Sequence, residues 1–200
     1  GTLTRNEMTA RSVVTTAGHA EAEGSGYAPI GVLSPREGGD VALAATQRVA
    51  RIGLLCNDAQ LHDAADGWRI DGDPMEGALL ALAGKAGFDG TALRSAHPRL
   101  DEVPFDAAHR FMATLHAEDG GGALVCVKGA PEQMLALCIA QAGRDGGEEA
   151  LDIGHWQRAI DVAGAQGQRV LGFASRRLDR VPEHFELHDV GELVFAGIVG

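Results

Sequence analysis

The sequence predicts an α+β fold built on a largely antiparallel sheet, and three observations predict it. Apolar residues recur at helical spacing in VALAATQRVARIGLLCN (41–57). Short Val-, Phe- and Thr-rich runs of strand character are spread along the chain. Two of these, RFMATLHAED (110–119) and ALVCVKG (123–129), are joined by a glycine-rich turn, which reads as a hairpin. Helices and hairpins mixed in this way imply α+β packing.

The elements follow in order. NEMTARSVVTTAG (6–18) is rich in Thr and Val and reads as a strand. Residues 24–39, with their glycines and with Pro29 and Pro35, read as a loop. The helix over 41–57 comes next, then GWRIDG (67–72) as a short alternating strand. DPMEGALLALAGKAG (73–87) opens a helix, with Asp73 as N-cap, Pro74 next and Glu76 completing a capping box. TALRSAHPRL (91–100) reads as a short helix broken near Pro98. After the hairpin come helices over 131–140 and 155–167, then strands over 168–178 and 192–200.

The totals bound the function. Two hundred residues, 45% of them apolar, can bury a sizeable core in one domain or slightly more. No apolar run reaches the ~20 residues of a membrane span. A net charge of −11 argues against nucleic acid as a partner, since phosphate backbones require clustered positive charge. Three scattered cysteines, Cys56, Cys126 and Cys138, suggest neither a disulfide framework nor a zinc site. His184 and His188 have i, i+4 spacing but no third ligand nearby, so no metal site is expected.

Several short stretches invite a chemical reading. Of 17 basic residues only Lys85 and Lys128 are lysines. Lys128 stands where an apolar run turns through Gly129 into Pro131. GAPEQML reads as a helix start, with Pro131 at the first helical position and Glu132 near the positive end of the helix dipole. That explains Pro131 and Glu132 but not Lys128, a cation beside a helix start that could meet an anion. In VPFDAAHRFM, Phe105 follows a proline in a loop; such an aromatic either joins the core or, exposed, stacks on a base. Arg110 follows within reach of the same ligand.

Taken together, KGAPE (128–132), DPMEGAL (73–79), PFDAAHRFM (104–112), QRVLGFA (168–174) and LLCNDA (54–59) resemble, in family order, the nucleotide-binding domain of P-type cation-transporting ATPases. EGSGYAPIG (23–31) is similar to bacterial members of the calcium-pump-like type. GTLTRNEMT (1–9) resembles the back half of the family's phosphorylation motif Asp-Lys-Thr-Gly-Thr-Leu-Thr. The resemblance therefore places the nucleophilic aspartate before residue 1 and leaves no catalytic residue in the chain. It assigns 1–8 to a remnant of the phosphorylation domain and first hinge. It assigns 9–190 to the nucleotide-binding domain and 191–200 to the second hinge and return strand.

The resemblance also implies a six- or seven-stranded, mostly antiparallel sheet flanked by helices. Its implied ligands are ATP or ADP, with Mg2+ in the full-length pump. Its implied partners are the phosphorylation, actuator and transmembrane domains of one polypeptide, which places this chain on the cytoplasmic side of an integral membrane protein. In the roles it carries over, Phe105 stacks on adenine and Glu76 bonds the adenine amino group. Lys128 lines the deepest part of the pocket as a ligand residue rather than a structural one. Gly129 allows close approach, Leu171 packs on the base, and Arg169 and Arg110 reach the phosphates. Met75, Ala107 and Ala108 depart from the family pattern, and Arg110 stands where many members have lysine. His97-Pro98 resembles a motif of the heavy-metal-transporting branch, but KGAPE fits the other branches. The competing expectations are a soluble interaction module and a soluble phosphatase or kinase of related fold.

Overall fold

A computed structural model describes residues 6–200, so the first five residues of GTLTRNEMT lie outside it. The chain opens with three antiparallel strands, β1 (Ser12–Thr15), β2 (Gly18–Ala22) and β3 (Leu33–Glu37), followed by helix α1 (Gly39–Leu55). A separate hairpin, β4 (Gln60–Ala64) and β5 (Gly67–Asp71), precedes helices α2 (Pro74–Lys85) and α3 (Gly90–Ala96). Strands β6 (Arg99–Val103), β7 (Phe111–Ala117) and β8 (Ala123–Gly129) form a meander. Then come α4 (Pro131–Leu137), β9 (Cys138–Ala142), β10 (Glu148–Glu149), α5 (Ile153–Ala165), β11 (Leu171–Leu178) and β12 (Leu193–Val199).

The main sheet runs β3-β2-β1-β12-β11-β8-β7-β6, and β9 with β10 brings it to ten strands. Every pairing is antiparallel except β9 against β12. The class and the antiparallel character are as expected, but the strand count exceeds six or seven. The additions are short pieces. β3 lies in the segment read as a loop, an edge strand that tolerates Pro35. The helix expected over 131–140 stops at Leu137, where Cys138 adopts extended backbone and opens β9.

Both faces of the sheet are covered. One core lies under α1 and α2 and gathers Val49, Leu54, Leu79, Leu82, Leu124, Cys126 and Phe173. The other lies under α4 and α5, around Phe111, Val125, Val127, Met134, Trp156 and Phe195. β8 is therefore buried along its whole length. Alternation sends Val125 and Val127 to one face and Leu124, Cys126 and then Lys128 to the other. The two-residue period thus delivers a lysine to the α1–α2 face, where the stripe would otherwise place a third apolar side chain.

Candidate functional site

Three neighbouring strands end together at one rim of the sheet. Phe111 of β7 pairs with Gly129 of β8, which pairs with Gly172 of β11. Because these strands are antiparallel, the start of β7, the end of β8 and the start of β11 meet there. The N-termini of α2 and α4 close the same corner. The result is a cleft of about 520 Å³. All seven residues singled out in the sequence line it: Glu76, Phe105, Arg110, Lys128, Gly129, Arg169 and Leu171. Met75, Met112, Ile160 and Val170 complete its apolar walls. The sequence reading did not identify Ile160, although it placed a helix over 155–167.

Lys128 is 5% exposed. Its ammonium donates to Glu76 Oε2 at 3.1 Å, to the Cys56 carbonyl, and toward Met112 Sδ at 3.4 Å. The expectation of a ligand role without a structural one therefore does not hold. Lys128 lines the cleft, and it also neutralises a carboxylate and satisfies a carbonyl just past the end of α1. Glu76 likewise departs from its capping-box reading. Asp73 does cap α2, accepting from the amides of Met75 at 2.8 Å and Glu76 at 3.3 Å. The Glu76 carboxylate does not reach back to Asp73; its Oε2 accepts from the Asp58 amide at 2.8 Å and from Lys128. Oε1 has no hydrogen-bond partner among the described residues.

The opposite wall is the loop between β6 and β7. Phe105 is 64% exposed at the cleft, so it is not a core residue. The loop is pinned by its own hydrogen bonds: Ala108 N donates to Asp106 Oδ1 at 2.6 Å, and Arg110 N to the Asp106 carbonyl at 2.7 Å. Arg110 sits at φ 60°, a left-handed conformation unusual for a residue with a Cβ. Its carbonyl accepts from Ala130 N at 3.1 Å. Gly129 is required by this crossing, because an added Cβ would lie 2.5 Å from the Arg110 carbonyl oxygen and 2.7 Å from Phe111 Cβ. The close approach at Gly129 is thus first of all between strands.

Charge within the cleft is balanced. Lys128, Arg110 and Arg169 face Asp73, Glu76 and Glu132. Lys128 is paired to Glu76, whereas Arg110 and Arg169 make no ion pair among the described residues. The cleft thus offers an exposed ring, apolar walls and a carboxylate oxygen, together with two guanidinium groups. The three cysteines are free, and burial pushes their thiols up, Cys138 to about 12.

A family model described as P-type ATPase, cytoplasmic domain N, matches residues 45–200. Cation-transporting ATPase pma1 of Synechocystis is 38% identical over 100% of this chain and 23% of its own length. Probable cation-transporting ATPase F of Mycobacterium tuberculosis is 38% identical over 99% of the chain and 22% of its own length. Human calcium-transporting ATPase type 2C member 1 is 34% identical over 100% of the chain and 21% of its own length. The chain thus spans less than a quarter of each of these curated relatives. A family match over residues 45–200, with relatives 34–38% identical across the whole chain or nearly so, places the chain in the family of P-type ATPase cytoplasmic N domains.

Proposed function

We propose that this chain binds ATP and presents its γ-phosphate to the aspartate that becomes phosphorylated in a cation-transporting P-type ATPase, on the cytoplasmic side of the membrane. The observation that carries the reading is the convergence of Glu76, Phe105, Arg110, Lys128, Gly129, Arg169 and Leu171 on one cleft. The residues present fit the nucleotide. Phe105 offers a flat exposed face for a base, and Leu171 an apolar surface beneath it. Glu76 Oε1 is an acceptor suited to an exocyclic amino group. Arg110 and Arg169 are guanidinium groups suited to phosphate oxygens. With Lys128 paired to Glu76, the two guanidiniums that make no ion pair among the described residues are the groups suited to an anion, and Mg2+ would be held by the phosphates themselves. No helix among the described residues is long and apolar enough to cross a membrane; ion translocation would belong to other parts of a longer polypeptide.

Catalysis in this reading is positioning. The chain grips the base and leaves the terminal phosphate to be met by an aspartate outside it, and phosphoryl transfer depends mostly on such placement and on charge stabilisation. The 200-residue chain should bind ATP with a Kd between tens of micromolar and millimolar, on the order of 4–6 kcal/mol. It should bind ADP comparably and release no phosphate with Mg2+. Calorimetric titration with ATP, ADP and AMP, beside a phosphate-release assay, tests this. Absence of saturable binding would overturn the nucleotide reading, and turnover by the chain alone would overturn the division of labour.

A further inference from the structure

The turn that follows α1 forms the back of the cleft wall without lining the cleft. Helix C-termini leave carbonyls without intrahelical partners, and here two arginines from elsewhere in the chain supply donors. Arg99, at the start of β6, donates to the Asn57 carbonyl at 2.8 Å and the Leu55 carbonyl at 3.4 Å. Arg94, on α3, donates to the Ala59 carbonyl at 3.1 Å and the Asn57 carbonyl at 3.4 Å. The other Arg99 nitrogen is held by Asp58 at 2.6 Å and Glu102 at 2.8 Å. No basic residue lies in the last turn of α1 itself.

The opposite side of the same turn grips the cleft. The Asp58 amide donates to Glu76 Oε2 at 2.8 Å, the Cys56 carbonyl accepts from Lys128, and Asn57 Nδ2 donates to the Glu76 carbonyl at 2.9 Å. Glu102 lies on β6, whose end at Val103 leads directly to Phe105. Arg99 therefore touches both the turn that orients Glu76 and the strand that carries the aromatic wall. Its side chain is 29% exposed, and neither arginine lines the cleft.

We propose that Arg99, with Arg94 beside it, is a positioning residue for base recognition. By holding residues 55–59 rigid, it fixes Oε2 of Glu76 on the Asp58 amide and on Lys128. That leaves Oε1 aimed at the exocyclic amino group of adenine, and the bonds from Arg99 of β6 to the turn set the span between Glu76 and Phe105. Guanine presents a carbonyl oxygen where adenine presents that amino group, so a fixed carboxylate repels it. Loosening the turn lets the carboxylate rotate away, which weakens ATP and relieves the penalty on GTP.

This inference rests on the nucleotide reading, and its test separates the two. ATP and GTP affinities and the melting temperature are measured on the 200-residue chain, whose two cores are internal to it, and on Arg99→Ala and Arg99→Lys. Arg99→Ala should weaken ATP about three- to ten-fold, in the lower half of the coupling found between residues in one network, while GTP changes less. Arg99→Lys keeps the charge beside Asp58 and Glu102, but its single ammonium cannot span those carboxylates and the Leu55 and Asn57 carbonyls together. It should recover most of the melting temperature and little of the ATP-over-GTP preference. If Arg99→Ala does not fold, Arg99→Lys decides alone. Unchanged discrimination in a folded variant, or equal losses for ATP and GTP, overturns the positioning role. Failure of the unmodified chain to bind ATP overturns the nucleotide reading instead.

Discussion

At the scale of single residues, Phe105 and Lys128 illustrate two kinds of legibility. Phe105 was readable because nothing local required an aromatic there, and its exposure leaves a ring without a core to serve. Phe105→Ala should cost ten- to a hundred-fold in affinity, from stacking worth roughly 1–3 kcal/mol. The loss should be similar for ATP, ADP and AMP, and the melting temperature should hardly move; titration and melting on one sample check both. Lys128 was readable as unusual, but its partners were not, because Cys56 and Glu76 are distant in sequence and only β8's alternation brings the ammonium to them. Lys128→Ala leaves the Glu76 carboxylate without its countercharge, with only the Asp58 amide on Oε2, and the Cys56 carbonyl without its donor. It should cost about 3–5 kcal/mol of stability, as expected for breaking a buried ion pair, in addition to any loss of ATP. Glu76→Gln keeps an acceptor but removes the countercharge. It should cost about 1–3 kcal/mol and shrink the ATP-over-GTP preference; denaturant melts and paired titrations read the two effects apart.

At the scale of elements, the long periodic segments emerged as read: α1, α2, α5 and the β7–β8 hairpin follow their patterns within a few residues. The missed pieces share a cause. β2, β3, β4, β6, β9 and β10 are strands of two to five residues that pair with a neighbouring edge, and unlike GWRIDG of β5 their sequences carry no alternation that announces them. The capping-box reading of Glu76 fails for a related reason, since a local capping box and a long-range bond to the Asp58 amide look identical in DPME. The turn into β7 carries a separate prediction. Arg110 holds a left-handed conformation that disfavours a Cβ by roughly 1–2 kcal/mol. Arg110→Gly should therefore leave the melting temperature equal or higher, while ATP affinity falls more than AMP affinity, since AMP lacks the distal phosphates. Equal losses for both nucleotides would place Arg110 on the base side of the cleft.

For the whole molecule, acid is the informative perturbation. His116 is 2% exposed; Nδ1 faces the His97 carbonyl, Nε2 faces the Thr114 hydroxyl, and Arg99, His97 and Arg51 lie near. Burial pushes its pKa from 6.5 down to about 4, with the neighbouring positive charges adding to the shift. Between those values the unfolded chain binds the proton and the folded chain does not, so stability falls as pH is lowered from 6.5 toward 4. Melting temperatures across that range should decline, and His116→Gln should flatten the decline. The connectivity has a mechanical consequence as well. β1 and β12 lie side by side and antiparallel, Val13 opposite Val199, with the amides of Arg11 and Ser12 both donating to the Gly200 carbonyl. Residues 11 and 200 therefore leave the sheet at the same corner. A pull that separates them loads these bonds one after another, like a zipper opened from its end, and does not shear them all at once. Under tension the seam between first and last strands yields while the cleft, carried on β7, β8 and β11, is still intact.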